Sequence, residues 1–164
     1  MHPGTPRTDT VNLLHQALDA IDLGRSAQAI ALLCQVLRAQ PGSAEAHYLL
    51  GAEQARLGMP ARAVASLRTA LACDPEHDAA RLRLGMLLLG EGRLADAQAM
   101  WQPLNRLNPD DPFYQFKTGL LLIAQGEPEA GIGHLQRGLT LSHINVPLNA
   151  EMRRAIDEAR AVHA

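Results

Sequence analysis

The segment HYLLGAEQARLG, residues 47–58, decides the architecture of this chain, because it places glycine where a helix is otherwise expected. The pair Leu50 and Gly51 returns seven residues later as Leu57 and Gly58. A glycine inside a helix costs about 1 kcal/mol relative to alanine. The rest of the sequence, with 47% hydrophobic and 3% aromatic residues, is rich in Ala and Leu and favours helices. The glycines therefore require an explanation of their own.

Working outward from this segment, four series of residues repeat along the chain with one interval. Two series are glycines, one is proline and one is alanine, and each recurs every 34 residues. A shared interval in four independent series indicates internal repetition. The series are Gly51, Gly85 and Gly119; Gly24, Gly58, Gly92 and Gly126; Pro41, Pro75 and Pro109; and Ala29, Ala63 and Ala97.

The interval, the Leu-Gly pairs and the closing prolines resemble the tetratricopeptide repeat family over residues 10–145. The four copies are 10–43, 44–77, 78–111 and 112–145. The resemblance implies an all-α fold, an α-α superhelix of about nine helices in a single solenoid domain. Each copy is then an antiparallel helix pair.

Within each predicted pair, the two glycine series have different roles. Gly51 and its equivalents are expected where the two helices come closest, facing Ala63 and Ala97, because a side chain there would force the helices apart. Gly58 and its equivalents are expected as left-handed residues that end the first helix. The prolines end the second helix.

Two second helices depart from the family pattern. Pro103 lies inside the second helix of the third copy and predicts a bend near Ala99, since proline removes a backbone donor. The second helix of the fourth copy contains three glycines, Gly131, Gly133 and Gly138. Because glycine has a low helix propensity, we expect this helix to fray first.

Both ends lie outside the repeats. Residues 1–9 contain two prolines and a glycine and predict a flexible tail. Residues 146–164 predict an amphipathic helix with Asn149 as its N-cap. We interpret it as a solvating helix that covers the apolar edge of the last repeat, or alternatively as a helix that binds a partner.

Composition and motifs exclude several functions. A net charge of -2 argues against nucleic acid as a partner, and the sequence contains no apolar run long enough for membrane insertion. The two cysteines, Cys34 and Cys73, have no ligand spacing and predict packing thiols in a reducing, cytoplasmic compartment. Because no histidine or serine lies in a recognised metal or catalytic motif, we expect no enzymatic activity, no cofactor and no metal site.

The resemblance also implies a concave groove lined by the first helices of successive repeats. The repeat positions that face it carry mostly apolar side chains. The charged rim comprises the cations Arg56, Arg83 and Lys117 and the anions Glu45 and Asp22. This arrangement suits a peptide with several hydrophobic anchors. Any one of these residues could instead pack between repeats or under a neighbouring copy. The predicted groove residues are Leu14, Leu18, Tyr48, Ala52, Arg56, Leu82, Arg83, Met86, Leu89, Phe113, Phe116, Lys117 and Leu120.

The sequence therefore predicts a protein–protein interaction scaffold or adaptor that binds a peptide segment of another protein. The places where heat-shock co-chaperones of this family hold a carboxylate are mostly apolar here. The groove looks more like that of secretion chaperones or of bacterial assembly factors, an analogy from fold alone. Two alternatives remain open: a structural homo-oligomer, and an accessory domain of an enzyme complex whose active chain is another protein.

Overall fold

The computed structural model describes residues 6–143 and 146–164. Over this part of the chain it contains nine α-helices, one 3₁₀ turn and no strand, so the prediction of an all-α fold with about nine helices is confirmed. The helices are α1 (Pro6–Asp22), α2 (Ser26–Ala39), α3 (Ala44–Arg56), α4 (Pro60–Cys73), α5 (Asp78–Gly90), α6 (Leu94–Trp101), α7 (Pro112–Ala124), α8 (Pro128–Leu141) and α9 (Val146–Val162), with the 3₁₀ turn at Gln102–Arg106.

The chain divides into two compact units, residues 1–84 and 85–164. The boundary falls inside helix α5. The first unit contains the helix pairs α1–α2 and α3–α4, and the second contains the pair α7–α8 with α9 packed against it. The predicted repeat boundaries and the single solenoid domain stay predictions.

The predicted N-terminal tail is too long. Helix α1 begins at Pro6 and therefore includes residues 6–9, while residues 1–5 lie outside the described part. Proline is compatible with the first turn of a helix, where its missing N–H has no intrahelical partner.

The turn glycines adopt the predicted conformation. Gly24, Gly58, Gly92 and Gly126 have φ between +70° and +88°. At Gly58, the amide donates to the carbonyl of Ala55 at 3.0 Å, and the amide of Met59 donates to the carbonyl of Gln54 at 2.9 Å. These are the two bonds of a Schellman motif, which satisfies the last carbonyls of α3 before α4 begins.

In the first unit, Gly51 lies at the closest approach of α3 and α4. A Cβ added to it would lie 2.8 Å from Cγ of Leu67 and 3.2 Å from the carbonyl oxygen of Ala63. Both Leu67 and Ala63 are fully buried, so they have no room to move away. Packing therefore outweighs the helix propensity of alanine at this position.

In the second unit, Gly85 packs against the indole of Trp101. Helices α7 and α8 approach each other more closely than α3 and α4 do. A Cβ on Gly119 would lie 2.7 Å from the carbonyl oxygen of Gly131, and one on Gly131 would lie 2.6 Å from that of Gly119. These glycines allow backbone to pack on backbone.

The glycines of α8 are not equivalent. Gly131 contacts α7 as described, and a Cβ on Gly138 would lie 2.5 Å from the ring of Phe116. Around Gly133 there is nothing within 4 Å of such a Cβ. Two of the three glycines are thus explained by packing, and only Gly133 is a propensity cost without a contact to offset it. That α8 frays first stays a prediction.

Pro103 interrupts its helix as expected, but slightly later than predicted. Helix α6 ends at Trp101 and continues as the 3₁₀ turn. In a continuous α-helix the amide of residue 103 would donate to the carbonyl of Ala99, but Pro103 has no N–H. The amide of Gln102 donates to this carbonyl instead, which is the bond of a 3₁₀ turn.

Helix α9 begins at Val146, so Asn149 lies inside it and is not its N-cap. Four apolar side chains of α9, Leu148, Met152, Ile156 and Ala159, are buried. The helix packs mainly on α8 and also contacts α7. It therefore covers apolar surface that α7 and α8 would otherwise expose.

Candidate functional site

In the first unit, the predicted groove residues differ in how far they are exposed. Leu18 is 37% exposed, and Leu14 and Ala52 are half-buried. By contrast Tyr48 and Leu82 belong to the core, with exposures of 6% and 0%. A buried side chain offers no surface to a peptide, so these two residues are structural.

Arg83 also belongs to the interior of the first unit, which corrects its prediction as a rim cation. It is only 5% exposed, and its guanidinium carbon lies 5.8 Å from the centre of the Tyr48 ring. A cation over an aromatic face is attracted by the ring quadrupole, and the long stem of Arg packs well against apolar surface. The side chain is thereby drawn inward.

A histidine also packs against Tyr48. The ring of His77 lies 4.9 Å from that of Tyr48, centre to centre. Its Nδ1 accepts the amide of Ala80 at 3.2 Å, and its Nε2 donates to Oε2 of Glu45 at 3.1 Å. The hydrogen bond to Glu45 raises the pKa of His77, although burial acts in the opposite direction.

Arg56, the second predicted rim cation, is exposed but engaged. Its guanidinium forms an ion pair at 2.8 Å with Glu53, a carboxylate that is 3% exposed, and it also donates to the hydroxyl of Ser26. A buried carboxylate without such a partner would be strongly destabilising. Arg56 therefore neutralises Glu53.

In the second unit, Phe116, Leu120 and Lys117 are buried, with exposures of 0%, 7% and 8%. Lys117, the third predicted rim cation, donates to Oδ1 of Asn105 at 2.6 Å and lies 4.5 Å from the centre of the Tyr114 ring. Burial lowers the pKa of its ammonium group. None of the three predicted rim cations is thus available as a free charge at a rim.

The other predicted residues of this unit, Met86, Leu89 and Phe113, are half-buried. Leu89 and Leu120 line a pocket of about 570 Å³ that lies wholly within the second unit. We call it the α7/α9 pocket, because α7 and α9 form most of its wall. Residues of the α5–α6 turn complete it.

The wall of the α7/α9 pocket is mainly apolar and includes residues that the groove prediction missed. From α7 come Ile123 and Ala124, and from α9 come Ala155, Ala159 and Val162. Among the described residues that line the pocket, Glu158 is the one carboxylate, and His163 also contributes. The apolar face of α9 was visible in the sequence, but its position against α7 was not.

Beside this pocket lies a shallower hollow of about 510 Å³ at the N-terminus of α8. It is lined by Glu127, Pro128, Glu129, Ala130 and His163. His163 lines both spaces, so the two adjoin at this residue. The apolar pocket therefore has an acidic neighbour.

The described residues contain neither a metal-binding cluster nor a membrane-spanning helix. Within 6–143 and 146–164, no three His, Cys, Asp or Glu side chains are arranged so that they could hold a metal ion. In the same ranges, every helix is too short or too polar to cross a membrane.

The protein is a helical-repeat scaffold, because it consists of antiparallel helix pairs with turn glycines every 34 residues and has an accessible apolar pocket. Two family models described as tetratricopeptide repeat match residues 14–78 and 54–117, which together cover more than half of the chain. The chain belongs to the tetratricopeptide repeat family, as its sequence predicted. Members of this family are in general non-enzymatic scaffolds that bind other proteins.

Solved structures show the same fold. A thermophilic tetratricopeptide protein of Thermus thermophilus, TTC0263, is 23% identical with a TM-score of 0.75, over 94% of this chain and 83% of that one. PilF of Pseudomonas aeruginosa is 21% identical with a TM-score of 0.68, over 95% and 71%. YrrB, described as having an unusual peptide-binding site, is 18% identical with a TM-score of 0.63, over 96% and 79%. No curated protein matches the sequence significantly.

Proposed function

We propose that this protein is an adaptor that binds a hydrophobic peptide segment of another protein, and that the α7/α9 pocket receives the anchoring side chain. The observation that carries the proposal is the pocket itself. Its volume of about 570 Å³ lies within the range of roughly 300–1,000 Å³ that is usual for ligand sites. Its wall is mostly apolar, with half-buried Leu89, Ile123 and Ala155 accessible to a ligand.

This proposal narrows the site expected from the sequence. Of the thirteen predicted groove residues, Leu89 and Leu120 line the pocket. The fully buried Leu82 and Phe116 are unsuitable as contacts. An apolar side chain entering the pocket would contribute roughly 1.5–3 kcal/mol at about 25 cal/mol per Å² of buried surface. Micromolar binding corresponds to about 8 kcal/mol after the ordering costs are included, so the segment needs further contacts beside this anchor.

Within this proposal the protein acts in the cytoplasm as a chaperone of secretion or as an assembly factor of bacterial type. Both cysteines are free, and Cys73 is exposed, which suits a reducing compartment. The peptide-binding site named for YrrB gives a precedent for peptide recognition on this fold.

The test uses an exposed residue of the pocket, so that binding is changed without loss of the fold. Val162 lines the pocket and is 77% exposed. Val162→Glu is expected to place a carboxylate at the pocket and to weaken partner binding at least tenfold. Leu23→Glu is the matched control, because Leu23 is a similar apolar residue, 64% exposed, that lies in the first unit.

Parent and variants are immobilised and incubated with native lysate, and bound proteins are identified by mass spectrometry, after light scattering has fixed the oligomeric state. Synthetic peptides that cover each captured protein are then used to find the segment that binds, and the affinity of that segment for the parent and the variants is measured. An apolar segment that binds the parent and Leu23→Glu, but not Val162→Glu, supports the proposal. Equal binding by all three forms excludes the pocket as the site.

Two outcomes would favour the alternatives. If the parent is a dimer and Val162→Glu is a monomer, the pocket serves a homo-oligomer. If the captured protein is an enzyme that binds through a folded surface, the chain is an accessory domain of that enzyme complex.

A further inference from the structure

Apart from His163, the ionisable side chains that line the α7/α9 pocket and the adjoining hollow are carboxylates. Glu158 is exposed on the pocket wall, and Glu127 and Glu129 line the adjoining hollow. Among the residues that the structure describes, no hydrogen bond or ion pair involves the carboxylate of any of these three. Three acidic groups without cationic partners therefore lie beside an apolar pocket.

The arginine on the other side of the pocket is already engaged. Arg93 lies between Gly92 and Leu94, which both line the pocket. Its guanidinium donates to Asp96 at 2.7 Å and to Glu91 at 3.4 Å. The α5–α6 turn thus offers no free positive charge, because its one cation is shared by two carboxylates.

This arrangement favours a positively charged ligand for an electrostatic reason. When an apolar side chain fills the pocket, it displaces water from the wall on which Glu158 lies. A lower local dielectric strengthens the attraction between a carboxylate and a cation and equally strengthens the repulsion of an anion. Charge next to the anchor thereby contributes to both the rate and the specificity of binding.

We propose that the ligand of the α7/α9 pocket is a peptide segment in which an apolar anchor is adjacent to Lys or Arg. The anchor enters the pocket, and the basic side chain contacts Glu158 or the carboxylates of Glu127 and Glu129. The inference rests on the proposed function, since it specifies the chemistry of the segment that the pocket receives.

The test is a selection of random twelve-residue peptides displayed on phage, in 50 mM salt, with the parent protein and Val162→Gln as separate targets. Glutamine makes the pocket wall polar without adding a charge, whereas a carboxylate at position 162 would itself attract a basic peptide. Peptides enriched on the parent but not on Val162→Gln are those that use the apolar wall of the pocket. Among them we expect an excess of Lys and Arg within two positions of Leu, Ile, Met or Phe.

The best enriched peptide is then synthesised and its affinity is measured for charge variants. Glu127→Gln/Glu129→Gln/Glu158→Gln is expected to bind it roughly tenfold more weakly in 50 mM salt, and about equally with the parent in 500 mM salt, because salt screens exposed charges. Asp157→Asn is the matched control. Asp157 is exposed on α9 beside Glu158 but does not line the pocket, so its variant is expected to bind like the parent.

The outcomes separate the two proposals. Enriched apolar peptides without basic residues, or with acidic ones, would overturn this inference and leave the proposed function intact. An unchanged affinity of the triple variant would also overturn it. If no peptide is enriched on the parent over Val162→Gln, both proposals fail. A stable dimer whose interface covers the pocket would likewise overturn both.

Discussion

Gly138→Ala is expected to destabilise the protein, although alanine is the better helix former. Gly138 lies inside α8, and an added Cβ would lie 2.5 Å from two atoms of the Phe116 ring and 3.2 Å from Cβ of Gln115. Phe116 is 0% exposed, so the ring is held on all sides and is unable to swing away. The methyl group has to displace the ring or push α8 away from α7.

The magnitude follows from two opposing effects. Overpacking of this kind costs roughly 1–3 kcal/mol, and the propensity of alanine returns about 1 kcal/mol. The net expectation is a loss of roughly 0–2 kcal/mol in the free energy of unfolding. Gly133→Ala is the matched control, because Gly133 lies in the same helix with nothing within 4 Å of an added Cβ. It should gain about 0.5–1 kcal/mol.

A double-mutant cycle with Phe116→Ala isolates the cause. Truncation of this buried ring alone should cost about 3–5 kcal/mol. In that background the space beside residue 138 is open, so Gly138→Ala should become stabilising by up to about 1 kcal/mol. The coupling between the two positions should therefore be of order 1–3 kcal/mol, whereas Gly133→Ala should add independently.

Urea unfolding followed by far-UV circular dichroism measures these differences from the transition midpoint and slope. The decisive comparison is the sign of the shift in midpoint. If Gly138→Ala and Gly133→Ala both raise the midpoint by the same amount, or if Phe116→Ala leaves the effect of Gly138→Ala unchanged, the packing explanation is wrong.

Two further substitutions test other parts of the interior. Leu82→Asp should lower the free energy of unfolding by more than the roughly 2–5 kcal/mol of a buried Leu→Ala change, because Leu82 is 0% exposed and the carboxylate would lose its hydration. The control is Leu18→Asp at a 37% exposed position, which should change the urea midpoint little. Equal effects of the two substitutions would contradict the burial of Leu82. Glu45→Gln should lower the pKa of His77, measured by NMR titration, because the hydrogen bond to Glu45 is the main cause that raises it. Since the folded pKa is raised, the stabilisation from Glu45 is complete below pH 6.5, the ordinary value, and is lost as pH rises through the raised value. The parent should therefore exceed Glu45→Gln in stability more at pH 5.5 than at pH 8.5, and a difference that does not change with pH would refute this.

The backbone could be predicted well from the sequence because repetition reports geometry directly. Residues 34 apart occupy equivalent positions, so the turn conformation of Gly58 and the close approach at Gly51 followed from one pattern. Pro103 was equally informative, since a missing N–H has a local effect whatever surrounds it. The register at the chain ends was less accurate, as at Asn149, because no repeat constrains it.

The site could not be predicted to the same degree, because a repeat position fixes which way a side chain points and not how deeply it is covered. Arg83 and Lys117 turn inward because Tyr48 and Asn105 provide partners for them, and those partners follow no period. The α7/α9 pocket depends on where α9 rests, and that placement arises from long-range packing of Met152 and Ile156 in the core.

The contact between Gly85 and Trp101 has a practical consequence. Trp101 is the sole tryptophan of the chain, and it is 1% exposed with its indole against the backbone of α5. Its emission is therefore a local optical reporter that responds when α5 and α6 separate. Unfolding of the helix pairs α1–α2 or α3–α4 lowers the circular dichroism signal, and those helices contain no tryptophan to register it. A circular dichroism transition that precedes or follows the fluorescence transition therefore reveals that the first unit unfolds separately from the surroundings of Trp101.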